Sequence, residues 1–168
     1  MPRILVVFHS RTGTCRQVAQ RLASQGPWAL GEVDAPAGGQ GYVRCAVQAL
    51  LRLQPRVAYS GPDPAAFDLV VLVAPVWCGT LAAPMRSFVA FHRRELPACA
   101  LLSVMGGRGA EGAVRAVEQI LGRTLRVTAA LREAEIRGNH HHQVLAGFAR
   151  RVAALIGPAV AARQPRAA

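Results

Sequence analysis

The chain has 168 residues, with 20 basic against 9 acidic side chains and a formal charge of +11. That length suits one domain with a proper core, and 52% apolar against 17% charged residues excludes an intrinsically disordered chain. Every basic residue is arginine, which excludes a Walker A lysine, a Schiff-base lysine and a lysine general base.

Ile4 to Phe8 is a continuous apolar, β-branched run, predicting a strand buried on both faces. Ser10 to Gly13 breaks it. Cys15, Val18, Ala19, Leu22 and Ala23 then repeat at helical spacing up to Gly26-Pro27. Trp28 to Val33 is a second candidate strand, Asp34 to Gly41 a loop, and Val43 to Leu53 a helix stopped by Pro55. Ser60 to Pro64 is rich in turn residues. Leu69 to Ala74 is another fully apolar strand, followed by a loop over Pro75 to Thr80.

Pro84 can open a helix with Met85, Phe88, Val89 and His92 on one face. Ala98 to Ser103 is the next strand, and Met105 to Gly109 the loop after it. Val114, Val117 and Leu121 mark a helix closed by Gly122. Leu125 to Leu131 is the last strand. Leu145, Phe148, Val152 and Leu155 mark a final helix that Gly157-Pro158 should end. The expected organisation is one domain over residues 1–157 and a frayed tail over 158–168. Buried strands alternating with amphipathic helices predict an α/β domain with a parallel sheet, whose ligands bind at the carboxyl ends of the strands.

Three loops should therefore lie together. Ser10-Arg11-Thr12-Gly13-Thr14-Cys15 joins a strand to a helix and has the makings of an anion cradle, with helix-start N–H groups, hydroxyls and a glycine. An ordinary helix cap would need only one of those hydroxyls. Pro75-Val76-Trp77-Cys78-Gly79 places a Trp after a core strand, where it either stacks on a flat ligand or packs over the sheet edge. Met105-Gly106-Gly107-Arg108 precedes a third glycine and either approaches a ligand closely or is a plain connection.

In order, the stretch Val6 to Cys15, the segment Asp68 to Phe88 and the loop Met105 to Gly109 resemble the flavodoxin family, over Arg3 to about Ile156. The resemblance implies a flavodoxin-like three-layer sandwich, with a five-stranded parallel sheet in the order 2-1-3-4-5 and helices on both faces. It implies non-covalent FMN and redox function, as an electron-transfer protein or in FMN-dependent reduction of a small acceptor. By position, Ser10, Arg11, Thr12, Gly13, Thr14 and Cys15 would hold the phosphate. Pro75, Val76, Trp77, Cys78 and Gly79 would flank the flavin ring on one side, and Met105, Gly106, Gly107 and Arg108 on the other. No separate catalytic residue and no metal ligand follows from it.

The sequence departs from the family pattern in two places. Cys15 stands where a Thr is usual; it is either a small helix-facing thiol or, beside Arg16 at a helix start, a redox-sensitive one. The chain is basic where electron-carrier flavodoxins are acidic, so an acidic protein surface is an expected partner.

Other readings remain open. An NAD(P)H:quinone-type oxidoreductase would use the same loops with NAD(P)H and a small acceptor. A phosphatase of the low-molecular-weight type needs Cys-x5-Arg. Ser10 and Arg16 have that spacing without the nucleophile, and Cys15 and Arg21 have it inside a helix. A non-enzymatic module could bind an anionic partner through its basic surface, although nucleic acid is not expected because only 5% of residues are aromatic. His140-His141-His142 reads as a solvated helix start rather than a metal site. The cysteines lack CxxC spacing, and no run reaches the length of a membrane span, so a cytoplasmic protein with reduced thiols is expected.

Overall fold

The computed structural model describes residues 3–35 and 57–161. The predicted helix Val43 to Leu53 and most of the loop Asp34 to Gly41 lie outside them. Strand β1 (Ile4–Phe8) is the centre of the fold, with all five residues buried. It pairs in parallel with β2 (Ala29–Asp34) on one side and β4 (Leu69–Trp77) on the other. Beyond β4 come β6 (Ala98–Met105) and β7 (Val127–Arg132), also parallel. The parallel order β2-β1-β4-β6-β7 is the expected five-strand arrangement.

The strands alternate their side chains between two cores. Ile4, Val6, Phe8, Leu69, Val71 and Val73 face α1 (Thr14–Ala23) and α5 (His142–Ala161), where Val18, Leu22, Phe148 and Val152 meet them. Leu5, Val7, Val70 and Leu72 face α2 (Ala83–His92) and α3 (Ala110–Leu121), which supply Met85, Phe88, Ala113 and Val117. This is why the central strands read as unbroken apolar runs rather than as alternating ones. Pro84 lies in the first turn of α2, and Gly122 caps α3 at φ 67°, as its position predicts.

Four expectations are corrected. A short strand, β3 (Ala58–Ser60), pairs antiparallel with β2, so Ser60 belongs to a strand rather than to the turn after it. Its anchor is Tyr59, whose ring packs 5.0 Å from Phe88 and whose hydroxyl donates to the Pro62 carbonyl at 2.7 Å. Residues 75–77 continue β4, and Thr80–Leu81 returns as β5 in a tight hairpin, so Pro75 to Thr80 is not a loop throughout. Helix α5 runs through Gly157-Pro158 to Ala161. A proline inside a helix costs one hydrogen bond and crowds the carbonyl four residues back, but the apolar stripe ending at Ile156 has already docked the helix.

The fourth correction concerns the histidines. His141 is fully buried, not solvated. An Arg21 guanidinium N–H donates to its Nε2 at 2.5 Å, and its Nδ1 faces the Glu135 carbonyl at 3.4 Å. The same Arg21 reaches Asn139 Oδ1 at 3.2 Å, and His142 stacks on His141 with ring centroids 4.6 Å apart. These contacts fasten the end of α1 to the turn between α4 (Glu133–Arg137) and α5. Burial, with the Arg21 charge beside it, holds the His141 pKa below its usual 6.5. Protonation therefore favours the unfolded chain, and stability should fall as pH drops below about 6.5, by up to ~1.4 kcal/mol per pH unit for one such group. Urea midpoints measured from neutrality to about pH 5 should show this fall, and His141→Gln should make it shallower. An unchanged slope in that variant would reject the assignment.

At the far edge of the sheet, Arg151 donates to the Thr128 carbonyl of β7 at 2.5 Å. Among the described residues, no helix is long and apolar enough to cross a membrane.

Candidate functional site

The three loops follow β1, β4 and β6, which are neighbours in the sheet, and they emerge together at its carboxyl end. Helix α1 begins at Thr14 with Gly13 as its cap residue at φ 90°, a conformation that side chains rarely tolerate. No side-chain hydrogen bond caps this helix. Ser10 Oγ is used instead by the N–H of Gly13, at 3.1 Å. The first N–H groups of α1 have no intrahelical acceptor, and here no cap takes them up. The ordinary-cap reading of the loop is thereby set aside. Thr12 and Thr14 hydroxyls lie 3.3 Å apart at the rim, and Arg11 is exposed.

Cys15 turns the other way. Its side chain is 3% exposed and belongs to the core beneath α1. Burial, with a smaller contribution from the Glu133 charge, pushes its thiol up to about 12. The redox-sensitive thiolate considered for it is overturned, and so is the low-molecular-weight phosphatase reading that would have used it with Arg21. Arg16 is ion-paired with Glu32 on β2. A cysteine-selective alkylating reagent followed by peptide mapping should modify exposed Cys78 rapidly, and buried Cys15 and Cys99 only after unfolding. Fast labelling of Cys15 would contradict its core position.

The second loop is a two-residue hairpin. Cys78 and Gly79, at φ 48° and 74°, turn the chain between the paired Trp77 and Thr80. Pro75, Val76 and Trp77 are half-buried on the strand leading in, while Cys78 and Gly79 are exposed. The third loop carries half-buried Met105 and exposed Gly106, Gly107 and Arg108, and α3 begins after Gly109 at φ 116°.

The loops touch one another through residues that sequence reasoning missed. A Cβ on Gly112, in the first turn of α3, would stand 1.8 Å from the Gly79 carbonyl oxygen. One on Gly109 would stand 2.8 Å from Gly79 Cα. The hairpin thus rests directly on the start of α3. His9 links the first loop to the second. Its ring meets Trp77 edge-on with centroids 5.8 Å apart, and its Nδ1–H donates to the Val33 carbonyl at 2.8 Å. Burial lowers the His9 pKa, against weaker opposing effects of the Val33 hydrogen bond and the Asp34 and Glu32 charges.

A Cβ at Gly13, Gly79, Gly106 or Gly107 would meet nothing within 4 Å. All three loops therefore turn glycine backbone toward open space. A recess of about 700 Å³ lined by Leu96, Arg123, Arg126 and Ile156 lies at the amino end of the sheet instead, away from these loops.

Searched by sequence, no protein-family model and no curated protein matches this chain. Solved structures do match in three dimensions. A flavoprotein from Lactobacillus acidophilus NCFM in complex with FMN aligns with a TM-score of 0.70 at 19% identity, over 82% of this chain and 98% of its own. The chain has the flavodoxin fold. Fusobacterium nucleatum flavodoxin bound to flavin mononucleotide aligns with a TM-score of 0.56 at 11% identity, over 90% of this chain and 97% of its own. An NADH:FMN oxidoreductase in its apo form gives 0.53 at 12%, over 90% of this chain and 87% of its own. The strand order of the flavodoxin fold and its helices on both faces are those the sequence resemblance implied.

Proposed function

We propose that the protein binds FMN non-covalently at the three loops and serves as a redox protein. The observation that carries this reading is the uncapped start of α1 at Gly13, facing open space at the carboxyl end of β1. Helix-start N–H groups and the helix dipole favour a phosphate there. The loop sequence resembles the flavodoxin phosphate motif, and two of the structures aligned above hold FMN.

The residues present fit that group. Backbone N–H groups from Thr12 to Arg16, with the hydroxyls of Ser10, Thr12 and Thr14, would hold the phosphate; Arg11 adds positive charge at the rim. Cys15 contributes its backbone only, since its thiol is in the core. Pro75, Val76, Trp77, Cys78 and Gly79 would line one side of the ring system, and Met105, Gly106, Gly107 and Arg108 the other. Trp77 supplies a flat apolar surface and the hairpin backbone supplies polar groups. Bound FMN supplies one- and two-electron chemistry of its own; the protein positions it and sets its electrostatic surroundings. Reduced thiols at Cys15, Cys78 and Cys99 are in keeping with a cytoplasmic setting.

The test is direct. Purified protein is given excess FMN and desalted, and its visible spectrum is recorded. Retained flavin absorption is the expected result, and a colourless protein would overturn the reading. Oxidation of NADH or NADPH by the loaded protein alone would then mark an enzyme, and its absence a carrier served by a partner protein.

A further inference from the structure

His9 is the residue immediately before the cradle, and the strands on either side of β1 hold it in place. Its backbone N–H donates to Val73 O at 3.0 Å, its Nδ1–H to Val33 O at 2.8 Å, and its ring edge meets Trp77. It is thereby clamped at the carboxyl ends of β1, β2 and β4. A carbonyl oxygen only accepts, so Nδ1 carries the proton and Nε2 is the nitrogen left to titrate. The side chain is only 5% exposed. Yet Nε2 has no hydrogen-bond partner among the described residues and is not one of the fully enclosed unpartnered atoms.

We propose that His9 is a proton-linked phosphate contact of the FMN site, neutral in the free protein and an imidazolium donating from Nε2 when the phosphate is bound. The inference rests on the FMN reading above and deepens it. The charged groups around the ring divide by element. On β2, Asp34 and Glu32 favour the protonated ring, but Glu32 is already paired with Arg16 of α1. β4 presents uncharged Trp77, and the loop after β1 carries Arg11, which is exposed. In the free protein burial keeps the ring neutral. A phosphate dianion beside it would reverse that balance by opposite charge and a charge-assisted hydrogen bond. No covalent step is involved; one proton is taken up from solvent as the anion binds.

Linkage makes the proposal measurable. If FMN raises the His9 pKa by about one unit, protonation raises FMN affinity about tenfold. FMN dissociation constants are measured for wild type and His9→Gln from about pH 8 to about pH 5.5. FMN's own phosphate titrates near pH 6, which affects both proteins alike, so the ratio of the two constants is read. The ratio should grow severalfold as pH falls, toward the roughly tenfold limit reached below the free-protein pKa, and the growth should vanish with riboflavin, which lacks the phosphate. Independently, the His9 imidazole followed by NMR in the wild-type protein should titrate about one unit higher with FMN than without. That measurement decides the matter alone if His9→Gln does not fold. A flat ratio, an unmoved His9 titration, or the same effect with riboflavin would each overturn the proposal. Failure of both proteins to bind FMN at any pH would instead overturn the FMN reading beneath it.

Discussion

Replacing Gly112 with alanine is expected to destabilise the protein by about 1–3 kcal/mol, the cost of overpacking a well-fitted contact. The new methyl group would stand 1.8 Å from the Gly79 carbonyl oxygen and 3.1 Å from its carbon. Those are backbone atoms in a two-residue turn, and they cannot rotate aside as the tip of a side chain would. Either α3 slides outward or the hairpin carrying Trp77 lifts from its seat. Both movements also disturb the ring-binding side of the FMN site, so FMN affinity should fall with stability. Gly147→Ala is the control. Gly147 lies inside α5 with nothing within 4 Å of an added Cβ, and alanine there should stabilise by up to about 1 kcal/mol through helix propensity. Urea midpoints and FMN titrations of the two variants check both statements. A Gly112→Ala protein as stable as wild type would mean that the hairpin and α3 do not meet as described.

Replacing Gly13 with glutamate should abolish FMN retention while leaving a folded protein. At φ 90° a side chain is strained, by roughly 1–2 kcal/mol. There is nonetheless room for it, because no atom lies within 4 Å of the added Cβ. The carboxylate would then occupy the end of the helix that otherwise attracts the phosphate, repelling it and taking up its N–H donors. A loss of FMN affinity of about a hundredfold or more is expected, corresponding to some 2.7 kcal/mol, with only a small change in melting temperature. Gly13→Ala separates the two effects, since it carries the strain without the charge. Undiminished FMN binding by the glutamate variant would remove the phosphate from this loop.

The parts of the molecule legible in the sequence were those whose cause is local. Ile4 to Phe8 and Leu69 to Ala74 announce themselves because strands covered on both faces need no polar alternation. The spacing of Cys15, Val18, Ala19 and Leu22 fixes a helix for the same kind of reason. Strand β3 escaped because three residues, Ala58 to Ser60, are too few to show a period. They pair because Tyr59 lies against Phe88, far along the chain. His141 was misread because three adjacent histidines look solvated. Its burial depends on Arg21, 120 positions away.

The site divides in the same way. The loops could be placed after their strands from sequence, together with the glycines that open them. Gly112 could not be found, since nothing in its neighbourhood reveals that Gly79 approaches it. Nothing in the sequence around His9 reveals the Val33 carbonyl that gives its ring a defined tautomer.

The guanidinium of Arg151 on the Thr128 carbonyl has a consequence outside the redox site. Among the described residues, β7 is the last strand of its sheet and pairs only with β6. A bare last strand is a template on which another chain can add itself, the first step toward stacked, insoluble assemblies. Arg151 occupies one of the carbonyls such an intruder would need and sets a positive charge beside the strand. Every molecule bears the same charge at the same place, so two copies approaching along this border repel each other before their backbones can zip together.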